Sequence, residues 1–138
     1  MKNSNALMVP VALLIALSAC STSSTSAPRI DVADSRYATL LNMPLPDFYG
    51  TLAIAIKVSN NCPSLQRNPR IDLELNERRN ENGNGSFAAL SQRQAIRNAQ
   101  ASMSQEFQNR QGGNLCSVAA RDLAQAQKPY TFFLEEVG

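Results

Sequence analysis

The sequence predicts an all-α fold, a small antiparallel bundle of four to five helices with one disulfide. Three observations predict it. Apolar residues recur every three or four positions through most of the chain after residue 34. The segments they mark are separated by short breaks of Pro, Gly and Asn, and short connections favour antiparallel neighbours. Two cysteines, Cys62 and Cys116, stand at the edges of predicted helices.

A short first helix starts near Asp34 or Ser35 and runs through Tyr37, Leu40 and Leu41 to the Pro44-Leu45-Pro46 break. Asp47 then stands as N-cap of a second helix carrying Phe48, Leu52, Ala55, Ile56 and Ser59. Pro63 stops it directly after Cys62. A third helix runs from about Pro69 to Glu81 and ends at Gly83, although Ile71, Leu73 and Leu75 alternate as a short strand would. Glu74 and Arg78 are spaced as an i,i+4 pair. Asn82-Gly83-Asn84-Gly85 is a turn, and Ser86 caps a long helix to about Gln111 marked by Phe87, Leu90, Ile96, Ala99, Met103 and Phe107. Gly112-Gly113 ends it. Asn114 caps the last helix, whose inner stripe is Leu115, Ala119, Leu123 and Ala126.

The N-terminus reads differently. Lys2 is followed by an almost unbroken apolar run from Ala6 to Leu17, then by Leu17-Ser18-Ala19-Cys20 and an abrupt change to Ser, Thr and Ala. The run has the length of a signal-peptide core and falls short of the roughly 20 residues of a spanning helix. Leu17-Ser18-Ala19-Cys20 resembles the lipobox of bacterial lipoproteins. That resemblance implies that residues 1–19 are a signal peptide, that the Cys20 thiol is alkylated by a diacylglyceryl group, and that signal peptidase II cuts before it. It also implies three acyl chains, and two or more hold a protein firmly where one is marginal. Ser21 follows the cysteine in place of the aspartate that favours inner-membrane retention in enteric lipoproteins, so the implied destination is the periplasmic face of the outer membrane. Residues 20–29 then form the lipidated cysteine and a flexible tether, Ser-Thr-Ser-Ser-Thr-Ser-Ala-Pro within it lacking any large apolar group. The helical domain is residues 30–138.

Maturation at Cys20 leaves 119 of the 138 residues, enough for one domain with a modest core. Removing Lys2 leaves twelve basic and eleven acidic residues, a near balance that gives no electrostatic reason to expect nucleic acid or an acidic membrane surface as the partner. With Cys20 committed to lipid, Cys62 and Cys116 admit one pairing, and an exported setting favours a disulfide. Closing a loop of about 55 residues is worth roughly 4 kcal/mol at most in the chain-entropy model. The alternatives are a metal site or a redox pair. The chain has no histidine to complete a zinc set and no C-x-x-C spacing, so no metal or cofactor is expected.

The same lack of histidine removes the commonest general base. Asp72, Glu74, Glu77 and Glu81 are the densest acidic group, as a carboxylate pair for glycoside hydrolysis would need, but Arg70, Arg78 and Arg79 interleave them and point to a solvated, salt-bridged face. Lys57 and Lys128 lie in no serine-lysine motif, and Asn-Gly-Asn-Gly-Ser has no following lysine to make a phosphate cradle. The expectation is therefore a non-enzymatic protein. Two surfaces are candidates for a partner. One is the arginine series that includes Arg67, Arg70, Arg78, Arg79, Arg93 and Arg97, which would suit an acidic partner or a polysaccharide. The other is the tail Pro129–Val137, with Tyr130, Phe132 and Phe133, too apolar to be left in water without a reason. It either folds back over an open end of the bundle or binds a partner, where the Tyr130, Phe132, Leu134 alternation would allow strand addition.

Two further resemblances bear on the domain. An apolar helix ending in Asn61-Cys62-Pro63, two more helices and a cysteine opening the last one resemble a family of small secreted alphaproteobacterial domains of unknown function, over roughly residues 47–127. Lipid anchor, four helices and one disulfide are also similar to the secretin pilotins of type II secretion systems, which bind a secretin helix in a groove between helices. Together these lead to the expectation of an outer-membrane lipoprotein, anchored by lipid and facing the periplasm, that binds or scaffolds an envelope component, with an envelope protein as the expected partner. A pilotin-like chaperone escorting an outer-membrane protein is the second reading, and an enzyme acting on peptidoglycan or polysaccharide the third.

Overall fold

A computed structural model describes Asp31 and residues 33–137 of the chain. The expected signal peptide, Cys20 and the tether lie outside the described residues. Six α-helices follow in the order α1 (Ser35–Asn42), α2 (Leu45–Asn61), α3 (Pro69–Glu81), α4 (Ser86–Ser91), α5 (Arg93–Gln111) and α6 (Leu115–Gln125). A strand β1 (Leu65–Arg67) lies between α2 and α3, and a 3-10 turn at Pro129–Phe133 leads into a second strand, β2 (Leu134–Glu136). The fold is mainly helical with one disulfide, Cys62–Cys116, as the sequence predicts.

Helix ends follow local chemistry. The Asp34 carboxylate accepts from the Arg36 N–H at 2.9 Å, the Asn68 side chain from the Arg70 N–H at 3.0 Å, and Asn114 from the Ser117 N–H at 3.4 Å. Each satisfies an amide that the first turn leaves without a helical acceptor. Three local expectations are corrected. Asp47 is not the N-cap of α2: Pro44 holds that position, Leu45 and Pro46 open the helix, and Asp47 sits in its first turn. Proline is tolerated there because the N–H it lacks would have no partner. The buried stripe of α2 is Phe48, Thr51, Ile54, Ala55 and Val58, while Ile56 is 36% exposed. In α6, Val118 and Ala119 are buried, and Ala126 is an exposed left-handed terminus with φ 48°.

The expected helix from Ser86 to Gln111 divides at Gln92. The Ser91 hydroxyl donates to the Ala88 carbonyl at 2.8 Å, and such back-bonding bends a helix. Gly85, not Ser86, occupies the cap position. A Cβ on Gly85 would fall 2.7 Å from the Asn80 Cα, so only glycine lets the turn close this tightly. Phe87 and Leu90, expected in the core stripe, are 90% and 60% exposed, since nine and six residues before Ile96 place them off its face.

Helix α2 is the centre of the fold and makes its most extensive contact with α5. They approach closely at Gly50, where a Cβ would meet the Met103 Sδ at 2.4 Å and the Ala99 backbone at 3.4 Å. Phe48, Val58, Leu65, Leu75, Phe107 and Phe133 fill the core, each at most 1% exposed. The tail folds back over the bundle. β2 pairs antiparallel with β1, with Arg67 opposite Leu134 and Leu65 opposite Glu136. The Val137 N–H extends the pairing to the Ser64 carbonyl at 3.0 Å. An Arg67–Asp72 ion pair joins β1 to α3. The disulfide fastens the end of α2 to the first turn of α6, with Cα atoms 5.4 Å apart.

Candidate functional site

The arginines expected on one face occupy separate environments. Arg93 and Arg97 are exposed on α5, and Arg97 donates to the Gln94 side-chain oxygen at 2.7 Å. Arg78 is half-buried and pairs with Glu74 at 3.3 Å, the predicted i,i+4 contact. Arg79 is a correction to the surface reading, for it is 1% exposed. Its guanidinium donates to the carbonyls of Leu40, Leu41 and Met43 at 2.6, 3.0 and 2.8 Å. It also lies over the Phe48 ring at 4.4 Å. Burial pulls its pKa below the ordinary arginine value.

The tail takes the first of its two expected courses and folds back over the bundle. Tyr130 and Phe133 are buried, and Phe132 is partly so. Phe133 meets Phe48 edge-on with centroids 5.8 Å apart, and Tyr130 meets Phe107 at 5.0 Å. The Tyr130 hydroxyl donates to the Asp122 carboxylate at 2.9 Å, which Arg110 approaches at 3.5 Å. Burial and then that hydrogen bond push the Tyr130 phenol above the usual tyrosine range, so it stays neutral. The strand that the tail supplies is used within the chain, on β1.

Of the acidic group on α3, Asp72 is buried against Arg67, and Glu74 pairs with Arg78. Burial raises the Asp72 pKa while Arg67 opposes the rise. Among the described residues no three His, Cys, Asp or Glu side chains converge as a metal set would.

A concave feature lies elsewhere. A cavity of about 610 Å³ opens between the α1–α2 turn, α2, the second half of α5 and the segment before the 3-10 turn. Its floor is apolar, built from Met43, Ile54, Met103 and Phe107, with Pro44 and Pro129 beside them. Thr39, Asn42 and Thr51 add hydroxyl and amide groups. Asp47, Glu106, Arg110 and Lys128, all exposed, bring two negative and two positive charges to its mouth. A cavity of several hundred Å³ with apolar walls and few polar groups is the usual form of a ligand site.

Only Tyr130 among the expected site residues lines this cavity. The residues that sequence reasoning missed come from three separate stretches, 39–54, 103–110 and 128–129, with no motif in common. The one available signal was the Met103–Phe107 stripe, which reads equally well as core. No protein-family model, characterised protein or solved structure matches the chain. No helix among the described residues is long and apolar enough to cross a membrane.

Proposed function

We propose that the protein is a non-enzymatic outer-membrane lipoprotein, anchored at Cys20 and facing the periplasm, whose α2–α5 cavity holds an apolar segment of an envelope protein. The cavity carries this reading. Its floor offers dispersion and burial of apolar surface, worth about 25 cal/mol per Å² removed from water. Its mouth is charge-balanced, which suits a segment with apolar anchors flanked by charges of both signs. The absence of histidine from the whole chain and the engagement of Cys62 and Cys116 in a disulfide support a binding role over catalysis. The anchor and the outer-membrane address rest on the lipobox resemblance and on Ser21.

A pilotin-like chaperone is the second reading. It is favoured by the position of the cavity between helices, where side chains of one face of a bound helix would fit.

Photo-crosslinking in cells from Asn42 and Glu106, two exposed residues that line the cavity, tests the proposal. One envelope protein is expected, joined through an apolar segment identified by peptide mapping, and filling the cavity with Thr39→Trp is expected to abolish capture. Equal capture by the filled variant, or none from either position, would count against the cavity. Mass spectrometry of the mature protein is expected to find Cys20 acylated.

A further inference from the structure

We propose that the α4–α5 junction is a membrane-docking surface that rests on an anionic phospholipid bilayer. This deepens the lipoprotein reading and rests on it, since the lipid at Cys20 brings the domain to the bilayer.

Four side chains carry the inference. Phe87 is 90% exposed and Leu90 60% exposed, and Arg93 and Arg97 are exposed further along the chain. The Gln92 N–H still bonds the Ala88 carbonyl and the Ile96 N–H the Gln92 carbonyl, at 3.1 and 2.9 Å. Gln92 itself leaves helical geometry (φ −104°, ψ 16°), so α4 and α5 meet at a bend, and the four side chains fall within eleven consecutive residues around it. Neither arginine makes an ion pair among the described residues. From Asn82 to Gln105 the sequence contains no Asp or Glu. An apolar wedge followed by uncompensated arginines is complementary to lipid, with rings entering the headgroup boundary and guanidinium groups meeting phosphate.

The geometry of the chain favours this occupant over a distant one. Cys20 lies eleven residues before Asp31, so the connecting segment spans at most roughly 40 Å. A domain of this length is itself roughly 35 Å across, so some face of it always stands close to the bilayer. The tether joins α1, and Arg79 fastens the other end of α1 to the last turns of α3, just before α4. Helix α1 has eight residues, a length of only about 12 Å, so the attachment point and the docking surface lie on neighbouring parts of the domain.

The chain has no tryptophan, so Phe87→Trp places a single indole on the surface. The mature lipidated variant is reconstituted into phosphatidylethanolamine–phosphatidylglycerol vesicles containing brominated phospholipid. A blue-shifted emission with at least twofold quenching is expected, and most of it should be lost in the Arg93→Glu, Arg97→Glu background or in phosphatidylcholine vesicles. Leu73→Trp, at another exposed apolar position (62% exposed), is expected to stay unquenched. Vesicle flotation reads the anchor separately. A chain that floats with an unquenched indole overturns the docking surface and leaves the anchor standing. Equal quenching at the two indole positions also overturns it, as non-selective adsorption. A Cys20→Ser chain that no longer floats after salt washing but is quenched when vesicles are added supports docking by this surface without the lipid. A blue shift that grows with protein concentration in the absence of lipid overturns docking in favour of self-association.

Discussion

Arg79 takes a full charge into the interior, and no carboxylate among the described residues pairs with it. Helix α1 ends with carbonyls that have no helical donor, and it has no basic residue in its own last turn. Arg79 supplies from α3 the donors that α1 lacks, and three carbonyl dipoles together with the Phe48 ring replace the hydration of the guanidinium. The planar fork matters as much as the charge, because an ammonium cannot address three carbonyls in the same way. Arg79→Met should therefore cost about 3 kcal/mol, the scale of leaving buried acceptors unmade, read as a lower urea midpoint. Arg79→Lys should recover only part of this. A lysine variant as stable as the parent would mean that charge alone suffices. Nothing in Glu77-Arg78-Arg79 distinguishes the buried arginine from its less buried neighbours, since helical phase is set by the packing of α3 and not by composition.

Elements show the same division between pattern and packing. The stripe Ile96, Ala99, Met103, Phe107 reads correctly as the inner face of α5, with Phe107 1% exposed. Phe87 and Leu90 stand nine and six residues before Ile96, out of phase with that stripe, and face outward, while the bend at Gln92 sits beside a local hydroxyl–carbonyl bond that periodicity does not register. The strand β1 was not legible at all. Three residues after Cys62-Pro63-Ser64 have no strand signal of their own, and they pair only because the tail returns to them. The α2–α5 crossing depends on Gly50. Gly50→Ala gains about 1 kcal/mol of helix propensity but must displace the Met103 sulfur, so a net change within about 1 kcal/mol is expected. Gly50→Leu overpacks the crossing and should cost about 2–3 kcal/mol in chemical denaturation. Since Met103 lines the cavity, both substitutions should also weaken crosslinking from the cavity mouth.

On the scale of the molecule, the disulfide joins parts of the chain that no continuous helix connects. It closes a loop of 54 residues in sequence separation and holds α6 against the end of α2. Cys62 is 1% exposed, so replacing the pair removes a cross-link and leaves a void in the core. Cys62→Ala with Cys116→Ala should cost about 2–5 kcal/mol, equivalent to a fall in Tm on the order of 10–20 °C for a domain of this size. Thiol titration of the unreduced protein should find Cys62 and Cys116 blocked. The cavity belongs to this scale too, because it exists only where α1, α2, α5 and the returning tail meet.

The sequence by itself determined the helical class, most helix limits, the turn at Asn82–Gly85 and, on the reading that assigns Cys20 to lipid, the pairing of Cys62 with Cys116. These follow from near-neighbour physics: periodic burial, caps, proline and glycine geometry, and a count that admits one pair. Only the tertiary structure decided which arginine is buried, where the long helix bends, that the tail completes a sheet and where the cavity opens. Each of those depends on groups far apart in the chain meeting in space, and periodicity constrains the face of a helix without saying what it will meet.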